Sequence, residues 1–348
     1  GSSSKALPRV LMNPPRPDVC HVTDGGRQPE TQPCAMLAVL CRTAWLPPRP
    51  RGVGEVCAED YAVCLVGVTA EGGALSGGAT TWGFPGGRVD LADLALARAN
   101  IIDGSAPAAL SLRVAAVRRT YESTGMLIAG RPPPSFAREA LRQVLHRDGP
   151  AAFTPLLDDW GIGLRPYALG ELPRVVVPEL LGMPAFETHV FVAQVPDAEE
   201  ASFASAGGCE TAALWWATPS EALRLHRRKE IQLPVAEWSV LRELNARLPA
   251  LSGLKELLGS ADASSNSFRL HSCQATPMSG LAPPARVWFA LPGDEEHCDS
   301  PGPVGCQCRA LVETASSHRV VDFQEVTPAE SPSAVNGEGR GEVPGSRL

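Results

Sequence analysis

Two stretches of the chain bring together residue types that can handle a phosphate group. The first is Gly83-Phe84-Pro85-Gly86-Gly87-Arg88-Val89-Asp90; the second follows Gly104 and reads Arg118-Arg119-Thr120-Tyr121-Glu122-Ser123-Thr124-Gly125-Met126. Glycines such as Gly86 and Gly87 let a backbone approach phosphate oxygens closely. On a helix, residues 119, 122 and 123 share one face, and Arg118 and Glu122 stand one turn apart. A glycine loop beside a helix that presents carboxylates can hold a divalent cation and a pyrophosphate together, because hard oxygen ligands suit magnesium or manganese.

The elements that must position these residues are legible around them. Residues 108–124 read as a helix, because Leu110, Val114, Val117 and Tyr121 recur at three- and four-residue steps and Gly125 sits where a left-handed cap belongs. Residues 36–40 and 61–69 are short apolar runs of the kind buried strands show, and 189–195 reads as a third strand. A helix is predicted over 135–147, with Ser135 as its N-cap and Gly149 beyond its end. Thr218-Pro219-Ser220-Glu221 combines a capping box with proline at the first helical position, so a helix runs from there to about Arg228. Further helices are expected over 234–248 and 252–258.

Composition bounds the rest. At 348 residues and 44% hydrophobic, the chain can bury a large core, while 33 Gly and 33 Pro imply long irregular segments. The net charge of −7 gives no global pull towards nucleic acid or anionic lipid. The longest apolar runs are far short of the ~20 residues that span a bilayer, so no membrane partner is expected. Ten cysteines without a secretory apolar segment read as free thiols in a reducing compartment. His297, Cys298, Cys306 and Cys308 lack the spacing of a zinc finger, and chance clustering is the better reading.

The order of segments suggests a polar tail over 1–35, a main domain over 36–258, a Ser- and Gly-rich linker over 259–284, a small extension over 285–325 with strands at 286–291 and 318–323, and a polar tail over 326–348. There is no internal repeat of fixed period.

The second stretch resembles the Nudix box. In that box a glycine is followed fourteen positions later by arginine, glutamate, an apolar residue, any residue, two glutamates, any residue and glycine. Gly104, Arg118, Glu122 and Gly125 fit the register; Leu110, Arg119 and Ser123 stand where the box has carboxylates. Beyond the box, most of residues 36–325 look like the peroxisomal acyl-coenzyme A diphosphatase branch of the Nudix hydrolases, which also carries an apolar residue where Leu110 sits. The diglycine loop with Asp90 and Asp93 is similar to that branch, as are Phe186-Glu187-Thr188, Trp216-Ala217-Thr218-Pro219-Ser220-Glu221-Ala222, Lys229-Glu230-Ile231-Gln232-Leu233-Pro234 and Leu291-Pro292-Gly293-Asp294-Glu295, in order. The chain ends Ser346-Arg347-Leu348, a variant of the address read by the peroxisomal import receptor.

The resemblance implies an α/β Nudix fold, a mixed sheet sandwiched between helices with a C-terminal extension. It also implies hydrolysis of the diphosphate of coenzyme A or an acyl-coenzyme A to 3′,5′-ADP and (acyl-)phosphopantetheine, aided by magnesium or manganese. Glu122 would be a metal ligand, with Arg118 orienting its carboxylate. Arg119 either grips a substrate phosphate or is a solvated helix arginine. Glu187 and Glu210 could supply missing carboxylates, Glu210 being the better candidate, or simply be solvated loop residues. Asp90 and Asp93 read as turn or helix caps. The run His226-Arg227-Arg228-Lys229 either cradles a 3′-phosphate or complements a helix dipole. A catalytically silent domain binding a nucleotide or a protein, or a hydrolase of another nucleoside diphosphate, is the alternative reading; cytoplasm or mitochondrion is the alternative location.

Overall fold

Cys34–Arg42 (β1) is apolar at almost every position, the composition of a strand covered on both faces rather than one. The computed structural model bears this out: Ala35, Leu37, Val39 and Cys41 enter one hydrophobic cluster, while Met36, Ala38 and Leu40 enter a second on the opposite side. The structure describes residues 33–46, 59–68, 81–99, 106–128, 133–177, 186–202, 204–206, 211–259, 268–269, 271–276, 286–290, 307–313 and 319–326.

After β1 come Tyr61–Val68 (β2), Thr81–Gly83 (β3), Gly86–Arg88 (β4), the helices Leu91–Ala99 (α1), Pro107–Thr124 (α2), Ser135–Asp148 (α3) and Phe153–Asp159 (α4), then Gly170–Val177 (β5) and Phe186–Gln194 (β6). Ala198–Ser202 (α5), Thr211–Ala217 (β7), Pro219–Arg227 (α6), Val235–Arg247 (α7) and Leu254–Gly259 (α8) follow. These strands, with Phe268–Arg269 (β8), make an eight-stranded mixed sheet in the order β3-β2-β1-β6-β5-β8, with β4 added to β1 and β7 to β2. β1 and β6 run parallel over seven residue pairs, and β1–β2, β2–β7 and β5–β6 are antiparallel. Leu110, Val114 and Val117 of α2 and Phe153 of α4 cover one face; Leu223 of α6 and Trp238, Leu241 and Leu244 of α7 cover the other. The expected α/β class, a mixed sheet between helices, is therefore observed.

Helix α2 begins at Pro107, where the missing N–H costs nothing, and stops at Gly125, whose φ of 73° lets its N–H return to the Tyr121 carbonyl. Helix α6 starts as expected, the Thr218 hydroxyl accepting the Glu221 N–H. Trp215 and Trp216, neighbours on β7, pack against opposite clusters, as alternation requires.

Two expectations need correction. Helix α3 takes Ser135 as its first residue, and Pro134 holds the cap position without a side-chain bond, because proline's fixed φ favours the extended conformation a cap needs. The stretch read as a linker holds β8 and His271–Thr276 (β9), since backbone pairing to β5 and β10 recruits even a largely polar segment. The strands expected in the extension are present as Arg286–Ala290 (β10) and Arg319–Val326 (β12), which with Gln307–Glu313 (β11) join β9 in a four-stranded antiparallel sheet, and Phe289 reaches the cluster beneath α7. Among the described residues no helix is long and apolar enough to cross a membrane.

Candidate functional site

The two phosphate-handling stretches meet at the amino-terminal end of β1. β4 lies antiparallel on β1, pairing Gly86 with Met36 and Arg88 with Cys34, and the Leu37 N–H reaches the Pro85 carbonyl at 2.9 Å. Each glycine here has a steric reason. A Cβ on Gly86 would fall 2.6 Å from both the Ala35 carbonyl and the Met36 Cβ, so β4 can pair with β1 only without a side chain there. A Cβ on Gly87 would fall 3.0 Å from Nε of Arg119, so α2 lays its arginine directly over the loop. Gly83 faces Glu237, whose Oε1 lies 2.8 Å from where its Cβ would stand.

Arg118 is fully buried. Asp93 takes two sides of its guanidinium, Nε to Oδ1 and Nη2 to Oδ2, both at 2.7 Å, and Nη1 reaches Oε1 of Glu122 at 2.6 Å. Burial works against the charge, but the two carboxylates outweigh it and hold Arg118 above the ordinary arginine range. Asp93 also accepts the Asp90 N–H at 2.8 Å, and Asp90 accepts the Ala92 N–H, so these aspartates do shape the turn as expected. The pairing of Asp93 with Arg118 was not foreseen. Two spaced aspartates after a glycine loop were visible; which one would turn inward towards a helix far along the chain was not.

Glu122 is the carboxylate of α2 that faces this network, and both of its oxygens are engaged, Oε2 by Nη1 of Arg119 at 3.1 Å. Arg119 is about one-third exposed, and its Nε is buried without a hydrogen-bond partner among the described residues. The Ser123 hydroxyl donates to the Arg119 carbonyl at 2.8 Å. A divalent cation needs several oxygen ligands. Here a guanidinium occupies one carboxylate oxygen on the side a cation would approach, and no cluster of three His, Cys, Asp or Glu suited to a metal occurs among the described residues. Among the described residues Glu122 therefore has Arg119 rather than a second carboxylate at its Oε2, and Glu210, the other expected ligand, lies outside them.

The other expected groups disperse. Glu187 of β6 pairs with Arg174 at 2.7 Å and His189 at 3.0 Å rather than with the α2 network. Burial depresses the His189 imidazole. His226 is buried in α6 while Arg227, Arg228 and Lys229 are exposed, so the four residues form no common cradle. Glu210, Gly104, His297, Cys298, Cys306, Asp294, Glu295 and Ser346-Arg347-Leu348 lie outside the described residues.

One further residue comes to the site unannounced. Glu237, the third residue of α7, is buried beneath the glycine loop and accepts the N–H groups of Phe84 and of its own backbone. Desolvation pushes its carboxyl up to about 7. Cys34 lies near it, its thiol raised by burial despite the facing Arg88 and Arg119.

No family model matches the chain, and no curated protein matches it. Solved structures do show likenesses. A Nudix hydrolase from Alicyclobacillus acidocaldarius is 20% identical, with a TM-score of 0.48 over 68% of this chain and 97% of its own. The Nudix domain of Shewanella oneidensis NrtR, solved with ADP ribose, is 13% identical, with a TM-score of 0.33 over 63% of this chain and 90% of its own. A C. elegans Ap4A hydrolase is 13% identical, with a TM-score of 0.29 over 62% of this chain and 96% of its own. All three carry the Nudix or Ap4A hydrolase name, and at these identities and TM-scores none of them assigns a substrate or a residue to this chain.

Proposed function

We propose that this chain hydrolyses the diphosphate bridge of a nucleotide, with coenzyme A or an acyl-coenzyme A as the substrate class. The observation that carries the reading is the Asp93–Arg118–Glu122 network between α1 and α2 beneath the glycine loop, with Arg118 and Glu122 in the register of the Nudix box. A surface i,i+4 pair contributes only ~0.5 kcal/mol and asks for no burial. Here a charged triad has been withdrawn from water, a costly arrangement that fixes the orientation of Glu122. The coenzyme A class is supported by the ordered series of sequence segments described above.

In such a reaction a water oxygen forms a bond to one phosphorus, the bond from that phosphorus to the bridging oxygen breaks, and the departing phosphate keeps the electron pair. The chain's own groups have clear parts in this. Arg119, whose side chain lies over Gly87 and is about one-third exposed, can hold a phosphate oxygen. Glu122, held by Arg118, can accept a proton from the attacking water or orient it.

A second reading, nucleotide binding without turnover, is favoured by Arg119 lying on Glu122. The deciding test is chromatography of 3′,5′-ADP after incubation of the pure protein with coenzyme A and several acyl-coenzyme As, with and without magnesium or manganese, beside a Glu122→Gln control. Product that the control abolishes supports hydrolysis; no product alongside retained binding of 3′,5′-ADP supports the second reading. Competition with NADH and ADP-ribose separates another nucleoside diphosphate from coenzyme A. The final Ser346-Arg347-Leu348 supports a peroxisomal location, tested by a fluorescent reporter placed before residue 1 with and without those three residues.

A further inference from the structure

Glu237 belongs to α7, on the face of the sheet opposite α2, and stands outside the box network. The link Phe84-Pro85 between β3 and β4 has two anchors. Pro85 gives its carbonyl to the Leu37 N–H of β1, and Phe84 gives its N–H to the Glu237 carboxyl. The second anchor is possible because residue 83 is glycine, Oε1 occupying the space a side chain would fill. Phe84 itself is buried in the same cluster as Trp238.

We propose that Glu237 is a positioning residue for the phosphate-handling loop: its carboxyl oxygen, through Phe84 N–H, sets where Gly86 and Gly87 lie against Arg119. The proposal rests on the reading of the site given above. A bland account makes Glu237 an ordinary first-turn acid of α7, where Pro234 offers no side-chain cap. That account explains the bond to its own N–H. It does not explain why the side chain is buried against a second element, where charge is costly and the cap could equally be made at the surface. The contact joins α7 to the loop, and through Gly87 to Arg119 of α2. Three separate parts of the chain are thereby held in one register, and a shift of about 1 Å at a reacting group can cost ~100-fold in rate.

The test compares the full chain with Glu237→Ala, Glu237→Gln and Gly83→Ala, reading amide hydrogen exchange at Phe84, Gly86 and Gly87 and the kcat and KM for coenzyme A hydrolysis. Gln keeps an acceptor oxygen, Ala removes it, and Gly83→Ala displaces the carboxyl while leaving Glu237 in place. The expected result is that Glu237→Ala and Gly83→Ala each speed exchange at these amides and lower kcat by roughly tenfold or more, and that Gln restores both. Gly83→Ala alone decides the matter if Glu237→Ala does not fold. Unchanged exchange with unchanged kcat overturns the proposal, as does a loss of kcat with the loop still protected. A wild-type protein without turnover instead overturns the hydrolase reading and the catalytic consequence with it; the exchange result then still decides whether Glu237 holds the loop.

Discussion

Asp93 and Arg118, 25 residues apart in sequence, form a two-bond pair at 2.7 Å with both side chains almost wholly buried. The pair fixes α1 against α2 and leaves the third side of the guanidinium to Glu122. Removing one partner of such a pair strands a buried charge, with a typical loss of ~3–5 kcal/mol. Asp93→Ala is therefore expected to lower unfolding stability by about that amount in urea titrations. Asp93→Ala with Arg118→Met is expected to recover a large part of it; a single variant as stable as wild type would show the pair to be dispensable.

Gly86 and Gly87 are neighbours with different constraints, and alanine tells them apart. At Gly86 the new Cβ meets β1 backbone, which the strand pairing holds in place, so Gly86→Ala is expected to cost on the order of 1–3 kcal/mol. At Gly87 it meets the Arg119 side chain, which can move, so stability should change by less than ~0.5 kcal/mol. Binding of 3′,5′-ADP, followed by calorimetry, should nonetheless weaken, because Arg119 is displaced. Equal stability losses at both positions would contradict this division.

Much of this was legible from residue types. Apolar runs of strand length gave β1 and β2, the three- and four-residue spacing gave α2, and Gly125 marked its end because a left-handed residue there favours glycine. What escaped detection depends on partners distant in sequence. Asp93 looked like a cap because its local bonds are those of a cap; its second role needs α2 folded over it. Glu237 follows Val235 and Ala236 as any first-turn acid would, and only the tertiary approach of Gly83 buries it. The strands β8 and β9 were read as linker because a short pairing segment declares itself only when a sheet edge is present.

The buried Glu237 should also leave a mark on stability. Burial raises its carboxyl from the ordinary 4.5 to about 7, so the folded state binds a proton more tightly than the unfolded one. The sign follows: the contribution of this group to stability is fully present below pH 4.5, is lost as pH rises from there through about 7, and then levels. Glu237→Gln removes this titration. The difference between Gln and Glu should be small near pH 5 and favour Gln above pH 7.5 by up to ~3 kcal/mol, read from unfolding midpoints at the two pH values. A constant difference across that range would mean that Glu237 does not titrate there.

Arg119 places the remaining question in one side chain. It binds the carboxylate oxygen that a cation would need, and its charge repels a cation over a few ångströms. Arg119→Glu replaces that repulsion with a second carboxylate beside Glu122, at a position where the Nudix box has one. A bound ion stabilises the folded chain by mass action. Manganese at about tenfold over its dissociation constant should then raise the Tm of Arg119→Glu by roughly 3 °C, with little change for the wild type at the same concentration. In the absence of manganese the variant should be slightly less stable than wild type, because two carboxylates then face each other without a cation. A wild-type Tm that already rises with manganese would mean that groups beyond Glu122 complete a metal site despite Arg119, and would return metal-assisted hydrolysis to first place.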